Sequence, residues 1–254
     1  MLFTLKSKVR RPLVAVLVAA FWLGVWCAAC YFANQELLLP LPYPWDVVKT
    51  LWQLMGQADF WLVVLRSLGR ILSGFVMAVA VGVGLAVLTT RFSLVHAVFS
   101  PVLSLIRAVP VASFIFLAFL WIRAESLPSF IAFLMVVPLV WENVRQGILH
   151  TDRQLLEMAR VFRMNRRTRL RQIHLPSVRP YLQAALTTGF GFAWKSGIAA
   201  EIICWPNDSI GYQIAAAKSH LNTAEVFAWT AMVVLLSVVL EWVLRRLMRR
   251  EVAE

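Results

Sequence analysis

Cysteine is scarce in this chain of 254 residues: only Cys27, Cys30 and Cys204 occur, too few for a disulfide framework. Cys27 and Cys30 form a C-x-x-C, but they sit in an unbroken apolar run with no histidine or carboxylate beside them. They read as small packing residues, not as a redox or metal pair. The phosphate-cradling pattern G-x-x-x-x-G-K-[ST] is absent, as are H-E-x-x-H and G-x-S-x-G. The four histidines (His96, His150, His174, His220) are scattered, and no carboxylate pair within the apolar runs has acid–base spacing. No catalytic constellation is visible, so the chain reads as a non-enzyme whose energy source lies elsewhere. Nor does one half repeat the other, as it does in many secondary transporters.

Acidic residues are few as well, 13 against 25 Lys and Arg, which leaves a formal charge of +12. The distribution of that charge argues against nucleic acid, because the cations cluster beside apolar runs, as in loops held at a cytoplasmic surface. A hydrophobic share of 60% and a mean hydropathy of +0.72 point to an all-α polytopic membrane protein set in a lipid bilayer.

Six spans are expected. The first, Leu13 to Phe32, follows Lys6, Lys8, Arg10 and Arg11; it is too long for a signal peptide and lacks a small-residue cleavage site, so it reads as a retained helix. Leu39 to Trp45 carries three prolines that forbid a continuous helix, and Asp46 to Leu54 reads as a short amphipathic helix on the outer surface. The second span, Ser67 to Leu88, holds Gly69, Gly74, Gly82 and Gly84, small residues that let helices approach closely. Arg66 and Arg70 at its start read as snorkelling cations.

The third span, Ala97 to Trp121, is interrupted at Pro110, where a helical hydrogen bond is lost; Arg107 at that depth either lines a pathway or pins the kink. In the fourth, Pro128 to Leu149, Glu142 and Arg145 are three apart and are expected to pair with each other. The fifth, Val178 to Ile203, carries Lys195 in mid-span, with pathway lining and pairing to Glu201 as its two readings. The sixth runs from Val226 to Leu244. With both termini inside, the cytoplasmic segments hold four cations at the start, Arg91, eight from Arg153 through Arg179 and four at the end, 17 of the 25.

Between the fourth and fifth spans lies the one long charged stretch, Thr151 to Pro176. Leu155, Leu156, Ala159 and Phe162 recur at helical spacing and form one face of a short helix. Asn165 suits the N-cap of a second helix that starts at Arg166, and Pro176 is expected to close the unit by disfavouring helix at Leu175.

At Glu157-Met158-Ala159, a turn, and Ile173-His174-Leu175-Pro176, the chain resembles the "EAA" loop of inner-membrane permease subunits of ATP-binding-cassette importers. Arg66-Ser67-Leu68-Gly69-Arg70 resembles the "SLxR" opening of their transmembrane domain. Ala199-Ala200-Glu201 followed by Ser209-Ile210-Gly211-Tyr212 resembles their "aE…GLG" segment, and "DVVKTLW" after the prolines is similar to the taurine, nitrate and sulfonate branch.

The resemblance implies a type I importer fold, with a first helix and outer segment in 1–60, the transmembrane domain in 61–245, its coupling loop in 151–176 and a basic tail in 246–254. It implies a multi-pass protein of the bacterial inner membrane, working as two copies with two cytoplasmic ATPase subunits and an extracytoplasmic binding protein. ATP and Mg would be bound by the partner ATPase and no cofactor by this chain. Leu156, Glu157, Ala159, Phe162, Arg163 and Asn165 would dock the ATPase, and Arg107, Pro110, Lys195 and Glu201 are the pathway candidates. The family usually has Gly where this chain has Arg163, so the turn is expected nearer Asn165. The rival is a stand-alone ion-coupled transporter using Lys195, Glu201 and Arg107.

Overall fold

The computed structural model of the protein describes residues 2–36 and 40–250, and every regular element among them is a helix. Leu39, the tail beyond Arg250, and the side chains of Lys6, Lys8, Arg10, Arg11, Arg249 and Arg250 lie outside what is described. The chain packs as two units. One takes in the described residues up to Trp61 with Gln213–Met232, the other Leu62–Tyr212 with the described residues from Val233.

In the first unit, α1 (Leu2–Glu36) contains an apolar segment, Val16–Gln35, that is long enough to cross a membrane and almost wholly exposed. The proline-rich lead-in folds back on it: Cys30 Sγ donates to Pro42 O, and the Asn34 side chain both donates to Leu41 O at 3.2 Å and accepts from Leu41 N at 2.6 Å. Cys30 is thus a buried packing residue. Pro44 starts α2 (Pro44–Met55), where its missing N–H would be unpaired in any case. This helix is the amphipathic segment expected from the sequence, with Val47 buried and Trp45, Val48 and Trp52 exposed.

The second unit is built on α6 (Leu127–Leu149) and α9 (Leu175–Cys204), which pack along each other and are each rich in buried residues. Around them lie α3 (Ala58–Arg91), the pair α4 (Ser93–Ala108) and α5 (Val111–Phe119), and the C-terminal part, from Val233, of α11 (Thr223–Arg250). Gly74 and Gly82 place α3 against α6: a Cβ at 74 would run into the Ser129 carbonyl, and one at 82 would meet Val140 Cβ at 2.8 Å. Without a hydrophobic drive between helices in lipid, such close approach supplies the contact. Gly69 and Gly84 play no such part, since a Cβ at either meets nothing within 4 Å.

Among the described residues four helical segments are long and apolar enough to span a membrane: Val16–Gln35, Ala58–Arg91, Leu127–Leu149 and Thr223–Met248. The expected third span is broken, its halves α4 and α5 bent by 106° at Pro110. Val109 before that proline is extended (φ −79, ψ 132), as the proline ring requires, and Pro110 O accepts from Phe114 N to open α5. The count of six is therefore not reached on length and apolarity. The 30 residues of α9 reach about 45 Å, but Gln183, Thr187, Thr188 and Lys195 thin its hydrophobicity. A helix sheltered by α6 has no need of a lipid-compatible surface all round.

A test of the α3–α6 contact follows. Gly74→Ala should lower the thermal midpoint of the detergent-solubilised chain, by an amount equivalent to about 1–3 kcal/mol of overpacking. Gly84→Ala should leave the midpoint unchanged or raise it. Equal midpoints for the two variants would remove the contact from the account of the fold.

Candidate coupling loop and translocation pathway

The charged stretch folds into two helices joined at an elbow. Asp152 caps α7 (Arg153–Val161) by accepting from Gln154 N at 2.8 Å, and Asn165 caps α8 (Arg166–Arg169) by accepting from Thr168 N at 2.7 Å. The Asn165 cap and the start at Arg166 are as the sequence led one to expect. The turn is not. It centres on Arg163, whose φ of 47° is left-handed, with Arg163 N donating to Arg160 O and Met164 N to Ala159 O at 2.9 Å. These two bonds make a Schellman C-cap. The chain keeps the geometry that glycine favours and accepts the strain of a Cβ there.

Pro176 does not close the unit either. From α8 the helix widens into a π segment, Leu170–His174, and continues without a break into α9, with Leu175 fully helical (φ −60, ψ −48). A wider turn ahead of the proline relieves the clash its ring would make with a carbonyl one α-turn back, and Ser177 Oγ donates to Ile173 O at 2.8 Å. Burial, and then Arg169, hold the His174 imidazole below its ordinary pKa, so it is neutral at physiological pH.

On α7 the expected apolar face divides. Ala159 is 3% exposed and Leu156 half-buried, which turns them inward. Leu155, Met158, Val161 (79% exposed) and Phe162 (74%) point outward, with Glu157, Arg163 and Asn165 also exposed. Val161 and Met158 were not singled out by the periodicity; their exposure comes from how the inner face is seated.

The four pathway candidates separate. Glu201, near the end of α9, has 0% exposure, and its Oε2 accepts from Ser67 Oγ at 2.9 Å and from Gly211 N at 3.1 Å. Ser67 Oγ in turn accepts from Ile210 N at 2.9 Å, and Arg70 lies 3.9 Å from the other carboxylate oxygen. Arg70 also donates to Asn207 O at 3.0 Å, and Arg66 pairs with Asp208. A Cβ at Gly211 would strike the Glu201 backbone, so glycine is what lets α10 (Ile210–Ser219) start so close to α9. Glu201 therefore joins α3, α9 and the start of α10 and is not paired with Lys195.

Lys195 is exposed on α9 and makes no hydrogen bond or ion pair among the described residues. Arg107, in the last turn of α4 where the helix dipole favours a cation, lies 3.7 Å from Glu142 of α6. Glu142 thus pairs with Arg107, and it accepts from Gln146 at 2.8 Å, where pairing with Arg145 was expected. Arg145 lies over the Trp141 ring, 5.9 Å from its centroid. Pro110 sits at the break itself, next to Arg107.

The profile of the family described as "Binding-protein-dependent transport system inner membrane component" matches residues 58–252. The chain belongs to this family. It is similar to the taurine transport system permease protein TauC of Escherichia coli, at 25% identity over 95% of this chain and 89% of that one. It is similar also to the nitrate import permease protein NrtB of Leptolyngbya laminosa (25%, 86% and 80%) and to the putative aliphatic sulfonates transport permease protein SsuC of Bacillus subtilis (26%, 74% and 68%). A solved structure titled as an amino acid ABC transporter with histidines shares the fold, with a TM-score of 0.59 at 18% identity over 74% of this chain and 91% of that one. The chain is a multi-pass membrane permease of the ATP-binding-cassette importer type, a component of transport.

Two variants test the geometry. Arg163→Gly should stabilise the elbow by roughly 1 kcal/mol, read as slower amide exchange at residues 162–165, and Arg163→Val should do the reverse. Glu201→Ala leaves Gly211 N and Ser67 Oγ without their buried acceptor and Arg70 without its nearby counter-charge, and should destabilise the chain by roughly 3 kcal/mol; an unchanged thermal midpoint would show that the junction contributes nothing.

Proposed function

We propose that the permease carries a small anionic solute, handed over by an extracytoplasmic binding protein, through a pathway formed by two copies of the chain in a bacterial inner membrane. Two cytoplasmic ATPase subunits bind ATP and Mg and dock against the elbow. The observation that supports this most is α7. Its outward side offers Leu155, Met158, Val161 and Phe162 between two satisfied helix caps, on a loop that the distribution of arginines assigns to the cytoplasm. A row of exposed apolar side chains beside Glu157 and Arg163 is suited to a protein groove, not to water.

The anionic character of the solute rests on Lys195, since Arg107 already has Glu142 beside it. A cation at membrane depth is costly unless it faces water or a counter-charge. Lys195 has no counter-charge among the described residues, so a water-filled path at the contact between copies is its natural surroundings. The similar permeases are named for taurine, nitrate and sulfonates, all of which carry an anionic group, and this chemistry fits the Lys195 cation. With ATP bound, the ATPases close and draw the elbows together, which turns the spans from an inward-open to an outward-open state.

The docking assignment is tested by purifying the chain gently from its own membranes and measuring the ATPase that stays with it. Phe162→Glu should weaken that association about thirtyfold, as expected for removal of an interface anchor, and abolish uptake, with the thermal midpoint of the chain retained. Full co-purification and uptake would refute the docking role of α7.

A further inference from the structure

A cavity of about 470 Å³ lies in the second unit where α3 ends and α9 begins. Its walls are three apolar helix stripes. From α3 come Val83 and Val87, one turn apart, with Arg91 one turn further on. From α6 come Val144 and Ile148, also one turn apart. The third wall is the π segment and the first turn of α9, with Leu170, His174 and Val178. Since Arg91 is the last residue of α3, the charged end of this groove lies where the cytoplasmic membrane surface meets the bundle, and its apolar end reaches into the hydrocarbon.

From this arrangement we propose that the groove binds one anionic phospholipid of the inner leaflet, an acyl chain against the valines and its phosphate at Arg91. Charge complementarity selects this occupant. No carboxylate lines the cavity, Arg91 is exposed with no ion pair among the described residues, and Arg166, Arg167, Arg169 and Arg171 flank the third wall in the chain. A basic pocket between helices on the cytoplasmic side is the usual setting for an acidic lipid headgroup. A second copy of the chain would bring the same cations to the same place and be repelled. The lipid would then touch the π segment that joins the elbow to α9, so membrane composition acts on the one piece of backbone between the docking face and the spans.

Native mass spectrometry of the full chain, released from nanodiscs holding equal amounts of phosphatidylglycerol and phosphatidylcholine, tests this. Phosphatidylglycerol should be retained in preference. Arg91→Gln should lower that retention about fivefold, the effect of one cation near a membrane surface. Val87→Trp, which fills the apolar part from a side chain already 52% exposed, should lower it as well, while Arg123→Gln, an exposed cation on the outer side, should not. Equal retention of the two lipids overturns the proposal. So does wild-type retention in the Arg91 and Val87 variants at unchanged thermal midpoints, or a change in copy number on filling the groove, which would give it to a second chain.

Discussion

A carboxylate sealed from solvent is the constraint on which the second unit depends. Glu201 loses its hydration on burial and has to be compensated, and the compensation comes from three separate segments: the Ser67 hydroxyl on α3, the Gly211 amide at the start of α10, and the Arg70 guanidinium nearby. Each partner is fixed in its turn. Ser67 accepts from Ile210 N, and Arg70 reaches Asn207 O in the loop after α9. Apolar packing in a membrane specifies a helix contact only weakly, since lipid tails are as apolar as leucine. A buried carboxyl group whose Oε2 accepts two hydrogen bonds specifies it strongly, because a slip of one turn would orphan that oxygen. Gly211 completes the arrangement by removing the one side-chain atom that would keep α10 away.

The sequence disclosed what local chemistry decides. Asn165 caps a helix because its side chain reaches the amide of Thr168 wherever the loop lies, and α2 is amphipathic because its apolar residues recur at helical spacing. The proline break after Arg107 follows from a missing N–H. What stayed hidden was decided by partners far away in the chain. Glu142 and Arg145 are good neighbours on a helix, but Arg107 arrives from α4 and takes the carboxylate. The separation between Ser67 and Glu201 left no periodic trace, though the two short motifs that contain them mark the same junction. Arg163 is a local exception: intrinsic preference argued for moving the turn, but the C-cap bonds from Arg163 N to Arg160 O and from Met164 N to Ala159 O outweigh a left-handed cost of about 1–2 kcal/mol.

The span count shows a related effect. Hydropathy finds helices that face lipid, and α1 and the apolar part of α11, with few buried residues, are the clearest cases. It fails at α9 because one side of this helix is packed along α6, where glycines and a buried Glu201 are tolerated or needed. Lys195, the one charged residue in the middle of α9, also makes no hydrogen bond or ion pair among the described residues.

The unbroken run from Asn165 through the π segment into α9 constrains how motion can travel. Under the docking role proposed for α7, a displacement enters at the elbow, and α9 receives it directly, since no loop intervenes to absorb it. At the other end Glu201 pins α9 to α3 and α10, so the helix cannot slide along its axis without breaking the buried bonds. A rod held at one end and pushed at the other tilts. The largest displacement then falls at the cytoplasmic end and the smallest at Glu201, with Lys195 close to the fixed point. Opening toward the cytoplasm is therefore the easier motion for this helix, while opening to the outside has to be carried by elements that the Glu201 junction moves with it, α3 and the start of α10.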